Sequence, residues 1–250
     1  MTLARRVQAV NAVNDSLIAL WGFQSPPPDL WPLLYEDVTS NGLVSVGLNP
    51  SFSDDKSKGW SHIKDVERLQ DVWHSPRAHF KWNPQDRSSF CKEKTNLVER
   101  YARERHPFFA PIRKLHQTVT RNRSMEWQHI DMFFLRETDH HRLQGTVFDR
   151  YPKEEQPLKL TTFGAAQFCC FEQLLEASEP LVIVIFNALA SRLYKQTRHA
   201  TLRSDTARGC MVDRIAGGEV PVLFSGFPTY MDHFSRERLE WHIGHVLGGV

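Results

Sequence analysis

Apolar residues recur at helical spacing from the start of the chain. Leu3, Val7, Val10, Val13, Leu17, Leu20 and Trp21 share one face, predicting a helix that stops at Gly22. Ser25-Pro-Pro-Pro28 follows as a rigid connector. Four later stretches are largely apolar and read as strands: Gly42–Gly47, Trp127–Leu135, Leu181–Phe186 and Val220–Gly226. Leu181–Phe186 is an unbroken apolar run, which predicts a strand buried on both sides. Helices are expected between them, over 108–121, from Thr162 to a stop before Pro180, from Asn187, and from Ser235 with Leu239, Ile243, Val246 and Leu247 inward. Residues 53–96 are polar and rich in Trp, His and Pro without a sustained period, which reads as a long functional loop or insertion reaching about residue 105. Residues 137–160 and 197–217 read as further loops. The predicted fold is three-layer α/β/α, with a short four-stranded parallel sheet, and residues 1–250 form one domain.

Two of the strands end in the same manner. The first runs into Leu48-Asn49-Pro50-Ser51-Phe52, the last into Phe227-Pro228-Thr229-Tyr230. Proline ends ladder pairing and stiffens the turn, so Asn49 is presented at the carboxyl edge of its strand. Ligand sites of open α/β sheets lie at that edge. The two loops predict a cleft with one jaw from each end of the chain.

Composition narrows the classes without choosing among them. The 250 residues are 41% hydrophobic and 24% charged, ordinary for a globular protein. No apolar run reaches the roughly 18 residues that span a bilayer, and Asn11, Asn14 and Asp15 interrupt any signal-peptide core. The chain is therefore expected to be cytoplasmic, away from membranes and monomeric. Cys91, Cys169, Cys170 and Cys210 lack CxxC spacing, which predicts reduced structural thiols and neither a zinc knuckle nor an iron–sulfur ligand set. The twelve histidines include no His-Glu-x-x-His pattern, and no Walker or Gly-x-Gly-x-x-Gly loop follows a strand. No metal or cofactor is expected. Arg100, Arg103, Arg105, Arg113, Lys114, Arg121 and Arg123 face only Glu104 within 100–123. Such a run is either a solvated helix face or a surface for a polyanion.

Gly47-Leu48-Asn49-Pro50, Ile185-Phe186-Asn187-Ala188 and the loop Phe227-Pro228-Thr229 entering the last helix occur in an order that resembles the uracil-DNA glycosylase superfamily, chiefly its mismatch-specific uracil/thymine branch. The resemblance implies DNA as partner and hydrolysis of the bond between deoxyribose and a flipped-out base. Such an enzyme must stack the base, hydrogen-bond its edge, place a water and stabilise the leaving anion. The resemblance gives Asn49 the role of orienting the water; an Asx cap of the turn is the competing role. Gly47 and Leu48 belong to the same substrate loop, with Phe52 or Trp60 as stacking face or as core. Asn187 suits a pyrimidine edge or a helix N-cap. Arg136, with Glu137 and Asp139, lies where a base or phosphate would sit. Ser51, Thr229, Tyr230, Met231 and Arg236 are candidates for gripping DNA, Tyr230 and Met231 as wedges.

The chain departs from the family at Phe227, where many members carry a histidine that donates to the departing base. His233, six residues on, is the candidate replacement. Asp54 and Asp55 are candidate general bases, and Asp131, inside an apolar strand, requires a partner such as His129 or an arginine. Three functions follow: excision of a damaged or mismatched pyrimidine in repair, excision of bulky modified bases from foreign DNA such as a phage genome, or a silent nucleic-acid-binding module.

Overall fold

The computed structural model describes residues 1–52, 60–83, 89–120, 125–149 and 156–248, the side chains of 89–92 and 140–141 excepted. The candidates Asp54 and Asp55, the arginines Arg121 and Arg123, and the Cys91 side chain lie outside the described residues. Among the rest, Cys169, Cys170 and Cys210 are free thiols, and burial pushes Cys170 up to about 11.

Helix α1 (Leu3–Phe23) is capped by the Thr2 hydroxyl and buries Val10, Val13, Leu17 and Trp21. Strand β1 (Leu43–Gly47) pairs in parallel with β2 (Trp127–Asp131) on one side and β3 (Val182–Phe186) on the other. Strand β6 (Gly218–Ser225) continues the parallel set beyond β3. The sheet does not stop at these four strands. Strands β4 (Arg203–Asp205) and β5 (Cys210–Ile215) add antiparallel to β6, giving a mixed six-stranded sheet of order β2-β1-β3-β6-β5-β4. The expected loop at 197–217 is thus largely sheet. A tight hairpin makes this possible, with Ala216 and Gly217 both at positive φ (50° and 81°) between β5 and β6.

Alternate residues of the central strands enter two cores. Val44, Val46, Ile183 and Ile185 face α1, α7 (Thr162–Ser178) and α8 (Ala188–Thr197), whereas Leu43, Val182, Val184 and Phe186 face α5 (Ala110–Val119) and α9 (His233–Val246). Helices therefore cover both faces, and β1 and β3 are buried on each.

The region after β1 folds more than its composition suggests. Short helices α2 (Gln70–His74) and α3 (Pro76–Phe80) precede the long α4 (Ser89–Arg105). They enclose a third apolar cluster of Leu30, Phe52, Trp60, Ile63, Leu69, Val72, Phe80 and Val98. This lobe is laced to the chain before β1: Trp31 donates to the Phe80 carbonyl and Trp82 to that of Asp29, each at 2.8 Å. Likewise, α6 (His140–Val147) occupies part of the expected loop at 137–160. Among the described residues, no helix is long and apolar enough to cross a membrane.

Candidate active site

The chain leaves β1 toward β2 on one side and leaves β3 toward β6 on the other. The two connections diverge at the carboxyl ends of β1 and β3, the switch point at which such sheets bind ligands. A cavity of about 310 Å³ opens one strand away, at the carboxyl ends of β1 and β2, bounded by the 33–36 segment and the lobe.

Its floor is built by strand periodicity. Ser45 and Gly47 on β1 sit in register with His129 and Asp131 on β2, and all four project toward the α5 side. The Ser45 hydroxyl donates to the Gln128 carbonyl at 3.1 Å, so its oxygen accepts from His129 Nδ1 at 2.9 Å. His129 Nε2 then meets Asp131 Oδ1 at 3.3 Å, with both residues about 5% exposed. The histidine partner expected for Asp131 is in place. Gly47 makes the arrangement possible: a Cβ there would lie 2.7 Å from His129 Nε2 and nearer still to Asp131 Oδ1. The Tyr35 hydroxyl accepts from the Asp131 amide at 3.2 Å, and burial followed by the Asp131 charge holds its phenol well above the usual value.

Asn49 lines the same cavity. Its Nδ2 donates to the carbonyls of Glu137, Pro50 and Leu135 at 2.7, 3.2 and 3.3 Å. Three carbonyls on one atom fix the amide flip, and no described residue pairs with Oδ1. Asn49 thus ties the loop after β1 to the segment after β2 while leaving an acceptor at the cavity. Ser51 is exposed at the rim, but Leu48 is 6% exposed in the α1-side core, where it packs instead of meeting a ligand.

The lobe supplies the opposite wall. Trp60 stacks on Phe80 at 5.4 Å and meets Phe52 edge-on at 5.5 Å. Trp60 lines the cavity; Phe52 backs it, and both are core residues, 5% and 8% exposed. Arg136 pairs with Glu99 at 2.6 Å and lies over the Phe80 ring at 4.4 Å, its Nε buried without a partner among the described residues. The same holds for both ring nitrogens of His62 and for Asn96 Oδ1. Burial, reinforced by neighbouring His106 and Arg105, lowers His62 to about 4, so its ring is neutral at pH 7.

Other expected residues stand apart. The Asn187 Oδ1 accepts from the Leu189 and Ala190 amides at 2.8 and 3.4 Å and caps α8, and Asn187 does not line the cavity. The His233 side chain is 78% exposed beside Glu237 and does not line it either. Phe227 stacks on Phe108 at 4.4 Å, and Phe108 is part of the cavity lip. Thr229 and Tyr230 are exposed, while Met231 packs against the α9-side core. Arg236 donates to the Pro228 carbonyl at 3.2 Å, holding the 227–231 loop on α9. Part of the basic stretch is engaged within the chain: Arg100 pairs with Glu36 at the surface, and Arg113 closes the end of α4 through the Arg103 and His106 carbonyls.

Sequence reasoning missed His62, Asn96, Tyr35 and Ser45. The available signal was the period-two match of Ser45-x-Gly47 with His129-x-Asp131; nothing local marks the other three. Among the described residues, no group of three or more His, Cys, Asp or Glu could hold a metal ion. No protein-family model matches the chain, and no curated protein matches it.

Proposed function

We propose that the chain is a monofunctional DNA glycosylase that hydrolyses the bond between deoxyribose and a flipped-out pyrimidine. The observation that carries this reading is the locked amide of Asn49. Its nitrogen is committed to three carbonyls, so its oxygen is an oriented acceptor beside the cavity at the β1 and β2 ends, suited to aligning a water. Trp60 provides an aromatic wall. Tyr230 and Phe234, 89% and 79% exposed on the loop and helix after β6, are placed to enter a gap left by an extruded base. Phe227 cannot donate a hydrogen bond, so this enzyme would stabilise the departing base otherwise than by a histidine at that position.

The test is a panel of duplexes carrying uracil, thymine mismatches, or hydroxymethylated or glucosylated cytosine, scored for alkali-labile abasic sites. Asn49→Ala should cut single-turnover excision roughly 100-fold while leaving duplex affinity in place. Unchanged excision in that variant overturns the role of Asn49. Salt-dependent DNA binding with no abasic product on any duplex selects the silent binding module instead.

A second reading, excision of bulky modified bases from foreign DNA, is favoured by the lobe wall. A cavity of about 310 Å³ falls in the size range of drug-like ligands. Its groups without a partner among the described residues, a donor on Arg136, an acceptor on Asn96 and a neutral His62, suit a hydroxylated substituent. Failure on uracil with excision of substituted cytosine selects it.

A further inference from the structure

An amide can align a water but cannot take its proton. The Asn49 reading therefore leaves the cavity in need of a base. Three described carboxylates line it. Glu36 is paired with Arg100 and Glu99 with Arg136, and a guanidinium does not give up protons. Asp131 differs: its Oδ1 faces an imidazole at 3.3 Å, a group that can give or take a proton. The Ser45 oxygen holds the other ring nitrogen in its N–H form, so the nitrogen that faces Asp131 is the exchangeable one. The missing Cβ of Gly47 lets both side chains pack directly against the β1 backbone. Phe108 and Phe109 lie against the His129 ring at centroid distances of 6.2 and 5.3 Å, which limits water on that side.

The geometry points to Asp131 as the general base of this cavity and to Ser45 and His129 as its positioning residues, an inference that rests on the glycosylase reading. The C1′–N bond breaks with its electron pair going to the base. The water held by Asn49 adds its oxygen to C1′ and passes one proton to the Asp131 carboxylate. The Asp131–His129 pair holds that proton until the expelled base anion takes it up. The site then returns to its starting state, and the net change is the addition of one water. Asp131 and His129 thereby do the proton handling that Phe227 and the exposed His233 cannot.

The experiment uses the full chain and whichever duplex of the panel the wild type cleaves. Asp131→Asn should lower the single-turnover rate about 100-fold or more, with affinity for the same duplex bearing a 2′-fluoro sugar unchanged. Formate should restore part of the rate to Asp131→Ala, which a merely structural role would not allow. Ser45→Ala removes only the oxygen that orients His129. It should fold, bind normally and lose several-fold in rate, so it carries the test if both Asp131 variants are unstable. Wild-type rates in Asp131→Asn, or equal rates for wild type and a folded Ser45→Ala when Asp131 variants do not fold, overturn the inference while the glycosylase reading stands. Absence of abasic product from the wild type on every duplex overturns both.

Discussion

A methyl group at position 47 would meet His129 Nε2 and Asp131 Oδ1 inside contact distance, and neither group has slack, being buried and tied to Ser45 or to each other. Gly47→Ala should therefore displace the pair: excision is expected to fall at least ten-fold, with a drop of about 1–3 kcal/mol in urea-denaturation stability. His62 gives the opposite sign. Its two buried ring nitrogens have no partner among the described residues, so the folded protein gains nothing from them. His62→Leu should match or exceed wild-type stability, yet weaken binding or excision of the cleaved duplex. Retention of full excision would show that the ring nitrogens meet no substrate. Asn49 was legible as a functional candidate because proline and the strand edge mark it. His62 was not, since only the folding of the lobe brings it to the strand ends.

At the scale of elements, β5 is held to α8 by one buried charge network. Asp213 is fully buried, pairs with Arg198 at 2.8 Å and accepts from the Tyr194 hydroxyl at 2.7 Å; Arg198 also reaches Glu172 on α7. Burial alone would raise the Asp213 carboxyl, but hydrogen bonds from Arg198, Thr201 and Tyr194 outweigh it and hold it below its usual value. Arg198→Met strands that carboxylate and should cost about 3–5 kcal/mol, read as a lowered urea midpoint. The same network explains why β5 escaped the sequence reading. Cys210-Met-Val-Asp-Arg-Ile215 breaks its apolar run with an aspartate and an arginine, and only the tertiary partner makes a buried aspartate affordable. β3 was legible because burial on both faces leaves it continuously apolar, and the other parallel strands because their apolar residues stand out between turn signals. The lobe was not, because its helices are short and its cluster draws on residues from Leu30 to Val98. The hairpin at Ala216-Gly217-Gly218 was a readable turn signal that β5 lacked the pattern to support.

For the molecule as a whole, pH acts through two histidines of the lobe. Burial takes both His62 and His79 down to about 4, with Lys94 and Arg136 adding to the effect at His79 against Asp71. In the unfolded chain each ring takes up a proton near 6.5, so between pH 6.5 and 4 the unfolded state binds more protons and stability falls as the solution is acidified. From pH 7 to 5 the expected loss is about 1–2 kcal/mol, discounted for the part of each ring that meets solvent. Urea midpoints at the two pH values measure it, and His62→Leu should remove its own share. Strand order has a separate consequence, for synthesis. Leu43 pairs with Trp127 and Val182, so β1 leaves the ribosome long before either flanking strand exists. At roughly 5–20 residues per second, β1 waits on the order of ten seconds for its second neighbour. Through that interval the edge of β1 that later meets β3 is open to other nascent chains or to chaperones, and the helices α8 and α9 that help enclose the sheet have yet to be made.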